Sequence, residues 1–249
     1  MLTIERHKKI LDLLKERSIV KLQELVDETG ASESTLRRDL TDLEQAKKLK
    51  RIHGGATLLK KILEEPTVAE KTIKNSHEKK KIAEKAASFV EDGDCIFLDA
   101  GTTTVEMVAF LEGKQVTVVT NGLTNIALLA DLNVETHVIG GFVKSGTRAF
   151  VGRNAIRALE TFRFDKAFIG VNGITELDGC TTPDPEEAFI KEYAIARSRQ
   201  SFILADHTKF GEVSFSKFAD LSEVTIITAN LDDETYNNYR TMTNIEVVD

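Results

Sequence analysis

The sequence has few of the features that mark disulfide-rich, zinc-binding or membrane-spanning proteins. Its 249 residues include only two cysteines, Cys95 and Cys180, which are far apart and lack the spacing of metal ligands. No apolar run approaches the roughly 20 residues of a membrane-spanning helix, and residues 1–6 lack a signal-peptide layout. No low-complexity tract or convincing internal repeat is present. We therefore expect buried, reduced thiols in a cytoplasmic protein that has no membrane partner.

Metal and nucleotide sites are not indicated either. None of the five histidines falls into a cluster of candidate ligands. No glycine-rich loop continues into the Gly-Lys-Ser/Thr sequence of a P-loop. The preferred prediction therefore contains no metal, no cofactor and no catalytic residue.

Chain length and charge distribution indicate two domains. The net charge is −7, but residues 1–62 contain 14 Lys and Arg against 10 Asp and Glu, and the remaining 187 residues contain 19 against 30. A weakly basic part joined to an acidic body is typical of a DNA-binding module attached to another domain. We predict a DNA-binding domain at 1–58, a charged linker at 59–76 that Pro66 interrupts, and a second domain at 77–249.

Residues 31–44 have the pattern of a DNA-reading helix. Ser32 is suited to cap its first turn, and three leucines fall on one face: Leu36, Leu40 and Leu43. The other side carries groups that suit base edges and phosphates: Ser34, Thr35, Arg37, Arg38 and Thr41. Taken alone, the stretch fits an ordinary surface helix with a solvated polar face equally well.

The flanking sequence favours DNA binding. Upstream, three apolar residues have helical spacing: Leu22, Leu25 and Val26. Gly30 can then take the positive φ that ends a helix, which gives a helix-turn-helix arrangement. Downstream, residues 49–56 fit a basic hairpin, or wing, with a Gly-Gly turn. Its basic side chains are placed to reach phosphates or the minor groove: Lys50, Arg51 and His53.

From residue 77 onward, short apolar strands alternate with helices. Seven strands are predicted, at 95–99, 116–120, 134–139, 166–171, 201–205, 224–228 and 244–248. Helices are predicted at 77–91, 105–111, 123–130, 154–162, 185–198 and from 232. This alternation predicts a largely parallel α/β sheet covered on both faces. Lys79, Lys80 and Lys81 are assigned to a solvated helix face in preference to a DNA contact.

Polar residues follow several of these strands, and open parallel sheets bind ligands beyond the carboxyl ends of their strands. Asp99 and residues 101–104 could cradle a phosphate, although Gly-Thr runs also serve as plain helix caps. Glu187 and Lys191 are spaced i,i+4, so an ordinary helix ion pair competes with binding of sugar hydroxyls and phosphate. Arg148 could pair with a phosphate or simply lie on the surface.

Together these strand ends predict a sugar-phosphate pocket. Its candidate residues are Asp99, Gly101, Thr102, Thr103, Thr104, Thr120, Asn121, Gly141, Arg148, Gly173, Glu187, Lys191, Asp206 and Lys209.

Several of these motifs resemble the DeoR family of bacterial sugar-metabolism repressors. The N-terminal match is Ser34-Thr-Leu-Arg-Arg-Asp-Leu-x-x-Leu-Glu44, followed by Leu49-x-Arg-Ile-His-Gly-Gly-Ala56. The C-terminal match includes Asp99-x-Gly-Thr-Thr103, Thr120-Asn-Gly122 and Asp206-x-x-Lys-Phe-Gly211. The resemblance spans residue 3 to about residue 230. It implies a winged helix-turn-helix domain followed by a sensor domain similar to ribose-5-phosphate isomerase.

Within that family, the Met-Leu-Thr start, residues 31–35 and residues 96–104 are most similar to repressors of fructose operons. The resemblance implies operator DNA as a partner, a homo-oligomer (dimer or tetramer), and release by a phosphorylated sugar such as fructose 1-phosphate. Two alternatives remain. A sugar-phosphate isomerase with an added DNA-binding domain could use Asp99, Glu187, Asp206 and Lys209 for proton transfer, but the loops typical of that enzyme do not occur. A protein-binding module without a ligand leaves the polar strand ends unexplained.

Overall fold

A computed structural model describes residues 1–17, 19–46, 48–52, 54–58, 63 and 65–248. The chain divides into two compact units, Met1–Lys61 and Ile62–Asp249. The predicted DNA contact His53 lies outside the described residues. Within the described ranges, no helix has both the length and the apolar character needed to cross a bilayer.

The first unit combines three helices with a small antiparallel sheet. In chain order it contains α1 (Thr3–Arg17), β1 (Ile19–Lys21), α2 (Leu22–Thr29), α3 (Glu33–Gln45), β2 (Leu49–Ile52) and β3 (Gly55–Leu58). The strand order is β1-β3-β2. The predicted apolar face of α3 packs in the core of this unit, together with Ile10, Leu14 and Leu25. This is the predicted winged helix-turn-helix fold, with β2 and β3 as the wing.

Two short-range signals set the turn between α2 and α3. Gly30 follows α2 with φ 68°, and its N–H donates to the carbonyl of Val26. The Ser32 hydroxyl accepts from the backbone N–H of Thr35 at 3.3 Å and caps α3. Both features are as predicted from the sequence.

A buried ionic cluster joins α3 to α1. The carboxylate of Asp39 accepts from Nε and Nη2 of Arg6, the latter at 2.9 Å, and lies 3.1 Å from Nε2 of His7. Burial alone would raise the pKa of Asp39, but the hydrogen bonds from Arg6 and His7 outweigh it and lower the pKa. Arg37 and Arg38, the residues just before Asp39, are exposed, so this buried contact fixes the direction in which their side chains project.

The second unit contains the elements of an α/β fold. In chain order they are α4 (Val68–Ile73), α5 (Ser76–Ser88), β4 (Cys95–Leu98), a 3-10 helix (Val105–Leu111), β5 (Thr117–Thr120), α6 (Leu123–Asp131), β6 (Glu135–Val138), β7 (Phe142–Val143), β8 (Phe150–Val151), α7 (Arg153–Leu159), β9 (Phe164–Gly170), β10 (Gly173–Thr175), β11 (Gly179–Thr182), α8 (Pro185–Ala196), β12 (Ser198–Leu204), a 3-10 turn (His207–Lys209), β13 (Ser216–Ala219), a second 3-10 turn (Leu221–Glu223), β14 (Thr225–Ala229), α9 (Asp233–Tyr239) and β15 (Asn244–Val248).

A seven-stranded sheet with the order β15-β14-β12-β9-β4-β5-β6 organises this unit. All its neighbouring strands are parallel. Phe97 belongs to the apolar core on one face, whereas its neighbours Ile96 and Leu98 belong to the core on the other. The central strands are therefore buried on both faces, as predicted, whereas the edge strand β6 is largely exposed. After β4 the chain adds β5 and β6 on one side and later β9 on the other, so the carboxyl ends of β4 and β9 form the topological switch point.

Several short elements are absent from the sequence prediction. They are β1, the hairpin β7–β8, the antiparallel sheet β10-β11-β13, and α4, which lies inside the predicted linker. Each is only two to six residues long, and none contains the longer apolar run that marks most strands of the main sheet. Residues 105–111 are helical as predicted but of the 3-10 type. Cys180 is buried as expected, Cys95 is only partly buried, and both thiols are free.

We expect Asp39→Ala to lower the free energy of unfolding of the first unit by about 2 kcal/mol, because it leaves the buried Arg6 guanidinium without its acceptor. Since the folded-state pKa of Asp39 is lowered, the stabilisation is present at neutral pH and is lost as the pH falls below the ordinary aspartate range. Urea unfolding of the full chain at neutral and acidic pH measures both effects. Asp42→Ala, at an exposed position of the same helix, is the control; an equal loss in both variants would contradict the prediction.

Candidate DNA-binding surface and sensor pocket

The polar face of α3 projects from the first unit. Ser34, Arg37 and Arg38 are exposed. Arg37 Nη2 lies 3.4 Å from Glu33, and the Ser34 hydroxyl lies 3.0 Å from that of Ser32. Among the described residues, Arg38 has neither a hydrogen-bond nor an ion-pair partner. Its guanidinium is therefore available to an external acceptor.

The wing is bonded to α3 through Arg51. Nη1 of Arg51 donates to the Thr41 hydroxyl at 2.8 Å, and its backbone N–H donates to Glu44 at 2.7 Å. The Ser32 and Thr35 hydroxyls lie 2.9 Å apart at the start of the helix. Lys50 is half-buried on the same hairpin. The structure therefore places the described predicted DNA contacts on one helix and its adjoining wing.

In the second unit, a buried ion pair lies at the switch point of the sheet. Asp99 follows β4 and is 1% exposed, and Lys191 on α8 is 3% exposed. Lys191 Nζ donates to Oδ2 of Asp99 and to the carbonyl of Gly170 at 2.9 Å. The N–H of Gly170, at the end of β9, donates to the same carboxylate at 3.0 Å. Two predicted pocket residues thus meet where an α/β sheet binds its ligands.

Several other predicted pocket residues have internal partners. The Thr104 hydroxyl donates to the carbonyl of Asp99 at 2.7 Å, and the Thr120 hydroxyl donates to the carbonyl of Leu98 at 2.6 Å. The Asn121 side chain accepts from the backbone N–H of Ala100 at 2.7 Å. These groups hold the loop after β4 in shape. Gly101 and Thr102 are half-buried on that loop and Thr103 is buried.

Close backbone approaches account for two of the predicted glycines. A Cβ at Gly141 would lie 2.5 Å from the carbonyl oxygen of Val151, and one at Gly173 would lie 2.3 Å from that of Glu212. Arg148 is exposed and has φ 55°. Gly141 and Gly173 are therefore explained by backbone packing, and Arg148 lies on the surface.

Glu187 belongs to a second, partly buried cluster, centred on Lys144. Lys144 Nζ lies 2.7 Å from Asp184, 2.9 Å from Glu187 and 3.0 Å from Glu65, and the Thr147 hydroxyl donates to Glu187 at 2.6 Å. Burial alone would lower the pKa of Lys144, but the carboxylates outweigh it and raise the pKa. Glu187 and Lys191 thus each bond to a distant residue, which differs from the i,i+4 pair considered from the sequence.

Two lysines that the sequence prediction missed extend this charged region. Burial lowers the pKa of Lys71, and Glu65 and Glu187 offset this only in part. Lys79 is buried and donates to the carbonyl of Lys71, so its assignment to a solvated face was wrong. The signal was available, because Ile82 and Ala83, three and four residues on, lie in the buried stripe of α5.

Asp206 and Lys209 lie at the start of the loop after β12. Asp206 accepts from the side chain of Asn75 at 3.1 Å and from the N–H of Thr208 at 3.1 Å, with Lys209 Nζ at 3.8 Å. Burial would raise the pKa of Asp206, but Lys209 and these hydrogen bonds lower it.

Next to Asp206, the structure corrects the expectation that no histidine lies in a ligand cluster. His207 Nδ1 is 2.9 Å from Glu78, and ligand atoms of these two residues and Asp206 lie within 4.8 Å of one another. Residues 78 and 207 are too far apart in sequence for spacing to reveal this. The ammonium groups of Lys79 and Lys209, which act on Asp206 electrostatically, oppose binding of a cation here.

A separate cavity of about 550 Å³ lies at the amino ends of β12, β14 and β15. Its lining includes Arg199, Thr225 and Asn244, and none of the predicted pocket residues. It therefore lies at the opposite edge of the sheet from Asp99.

Comparisons with known proteins match both units. Residues 6–62 match the model of the DeoR-like helix-turn-helix domain, and residues 74–230 match that of the DeoR C terminal sensor domain. The "Uncharacterized HTH-type transcriptional regulator FruR" of Bacillus subtilis is 49% identical over 249 residues, which is 100% of this chain and 99% of that protein. The "Lactose phosphotransferase system repressor" of Lactococcus lactis is 39% identical and covers 82% of each chain.

Solved structures are more distant. Ribose 5-phosphate isomerase A from Methanocaldococcus jannaschii matches 55% of each chain with a TM-score of 0.42 and 17% identity. A likeness at this level supports no argument about fold or activity. The two matched domains and the relatives carry the assignment instead: the chain belongs to the DeoR family of transcriptional regulators, and it is a DNA-binding regulator, not an enzyme.

Proposed function

We propose that this protein is a sequence-specific repressor of a fructose-utilisation operon that fructose 1-phosphate releases from operator DNA. The observation that carries the proposal is the joining of a helix-turn-helix unit to a sheet whose carboxyl edge concentrates buried lysines and carboxylates. Relatives named as lactose phosphotransferase system repressors support a sugar operon. The choice of fructose depends on the sequence resemblance of residues 96–104.

In this proposal α3 enters the major groove and the wing contacts the backbone. Arg38 is exposed and has a fork of donors that fits guanine O6 and N7. Arg51 and Lys50 on the wing contact phosphates, and His53 belongs to the same wing by sequence. Two copies of the first unit bind half-sites at a fixed spacing, so the repressor acts as a dimer or tetramer. It does so in the cytoplasm, where operator DNA is found.

The sugar phosphate binds at the carboxyl edge of the seven-stranded sheet. Lysines there supply charge-assisted donors for phosphate oxygens, and carboxylates accept hydrogen bonds from sugar hydroxyls. Lys191 and Lys209 are candidate phosphate ligands from the sequence, and we add Lys71 and Lys79. The charges of Lys71 and Lys79 are only partly compensated within the described residues. The ligand shifts operator binding only if its affinity differs between the DNA-bound and released states.

Arg38→Ala is expected to weaken operator binding about tenfold or more and to reduce the preference for operator over unrelated DNA, because a base-reading fork is lost. Fluorescence anisotropy with operator and scrambled duplexes measures both quantities. Equal weakening on the two duplexes would show that Arg38 contacts phosphate and reads no base.

Arg51→Ala is the matched comparison, because it removes the same charge from the wing. We expect similar weakening on both duplexes and a salt slope that is smaller by about one, since one phosphate contact is lost. Anisotropy titrations at several salt concentrations give the slope. An unchanged slope would remove Arg51 from the DNA interface.

Fructose 1-phosphate is expected to reduce operator binding in proportion to its occupancy of the sensor domain. A mobility-shift titration on the promoter of the chain's own operon, with fructose 6-phosphate and unphosphorylated fructose in parallel, tests this. Undiminished operator binding at saturating concentrations of both phosphates would contradict the proposed switch.

A further inference from the structure

Residues 65–79, the first part of the second unit, run along the charged edge of the sheet. The Glu65 carboxylate accepts from Lys144 at 3.0 Å, and the N–H of Val68 donates to the carbonyl of Gly146 at 3.0 Å. At the other end of the segment, Asn75 donates to Asp206. This segment follows the DNA-binding unit in the sequence.

Polar contacts attach α4 to the sheet edge. None of its residues is fully buried, although Val68 and Lys71 are half-buried, and none belongs to the described apolar cores. The carboxylate of Glu65, just before the helix, has only part of its hydrogen-bonding capacity used. Its Oε2 accepts a hydrogen bond from Lys144, but its Oε1 is buried and accepts none from a described residue. Lys71 Nζ lies 3.5 Å from Oε1, which is an ion pair without a close hydrogen bond. This oxygen therefore has an ionic partner but is incompletely satisfied as a hydrogen-bond acceptor.

A phosphate group suits the same two lysines better than this carboxylate does. It brings more acceptor oxygens and up to twice the negative charge, so Lys71 and Lys144 can each donate a short, charge-assisted hydrogen bond to it. Lys71 has most to gain, because burial lowers its pKa and thereby disfavours its charged form until an anion compensates it. Lys144 keeps Asp184 and Glu187 as partners whichever anion is present.

We propose that Glu65 is an internal competitor of the effector: its carboxylate occupies the anion position between Lys71 and Lys144, and the phosphate of the bound sugar displaces it and detaches residues 65–73 from the sheet edge. This inference rests on the proposed function, since it names how that same site is regulated. It supplies the difference between states that any ligand-driven switch requires.

The competition has a measurable consequence for affinity. The apparent dissociation constant for the sugar phosphate equals the intrinsic one divided by the fraction of molecules in which Glu65 has left the anion position. Glu65→Gln removes the competing charge and retains the size of the side chain. The variant is therefore expected to bind the sugar phosphate about three- to tenfold more tightly than the wild type.

The test compares the full chain in three forms: wild type, Glu65→Gln and the control Glu70→Gln. Glu70 lies on α4, is exposed, and caps the helix through Thr67, a role that glutamine also fills. Isothermal titration with fructose 1-phosphate and with fructose 6-phosphate gives the dissociation constants. We expect tighter binding in Glu65→Gln and wild-type affinity in Glu70→Gln. Hydrogen exchange of the wild type, with and without the bound sugar, should show faster exchange in residues 65–73 and none of that change in residues 82–88.

The outcomes separate the two claims. If neither phosphate binds any of the three proteins, the proposed function fails and the competition fails with it. If a phosphate binds the wild type, the competition alone is overturned by an unchanged affinity in folded Glu65→Gln, by an equal gain in Glu70→Gln, or by unchanged or slower exchange in residues 65–73. Should Glu65→Gln fail to fold, the exchange of the wild type decides the question.

Discussion

The ion pair between Asp99 and Lys191 is the contact on which the sensor unit depends. It ties the end of β4 to α8 and, through Gly170, to the end of β9, so it closes the sheet at the point where the strand order reverses. Two charges in this position are tolerated only because each compensates the other and both meet backbone groups. Because buried charges need such partners, this edge of the sheet is lined by polar groups, in contrast to the apolar cores on its two faces.

Local signals made most of the fold predictable. The cap at Ser32, the left-handed Gly30 and the leucines of α3 each act within one or two helical turns, so the helix-turn-helix could be read directly. The central strands of the parallel sheet contain continuous apolar runs, such as residues 96–98 and 202–204, since both of their faces are buried. The elements that escaped prediction, such as α4 and β1, are too short to carry a period.

The candidate pocket was less predictable, because its contacts join residues far apart in the chain. Residue types after each strand placed the candidates at the carboxyl edge of the sheet. They did not reveal that Glu187 binds Lys144, or that the hydroxyls of Thr104 and Thr120 donate to neighbouring carbonyls. The prediction for Lys79 failed for a different reason. Its position in the helical repeat of α5 indicated burial, but its charge was taken to indicate exposure to solvent. Pairing partners, unlike periods, depend on the tertiary fold.

The composition of α4 and α5 sets the calorimetric character of any movement at this edge. Unfolding α5 would expose Ile82, Ala83 and Ala86 to water, with the increase in heat capacity that apolar hydration brings. Detachment of α4 would expose less apolar surface, since none of its residues is fully buried and Val68 is its only half-buried apolar side chain. Apolar hydration therefore contributes less temperature dependence to the free energy of detaching α4. Ionic contacts, which salt can screen, contribute more to that free energy.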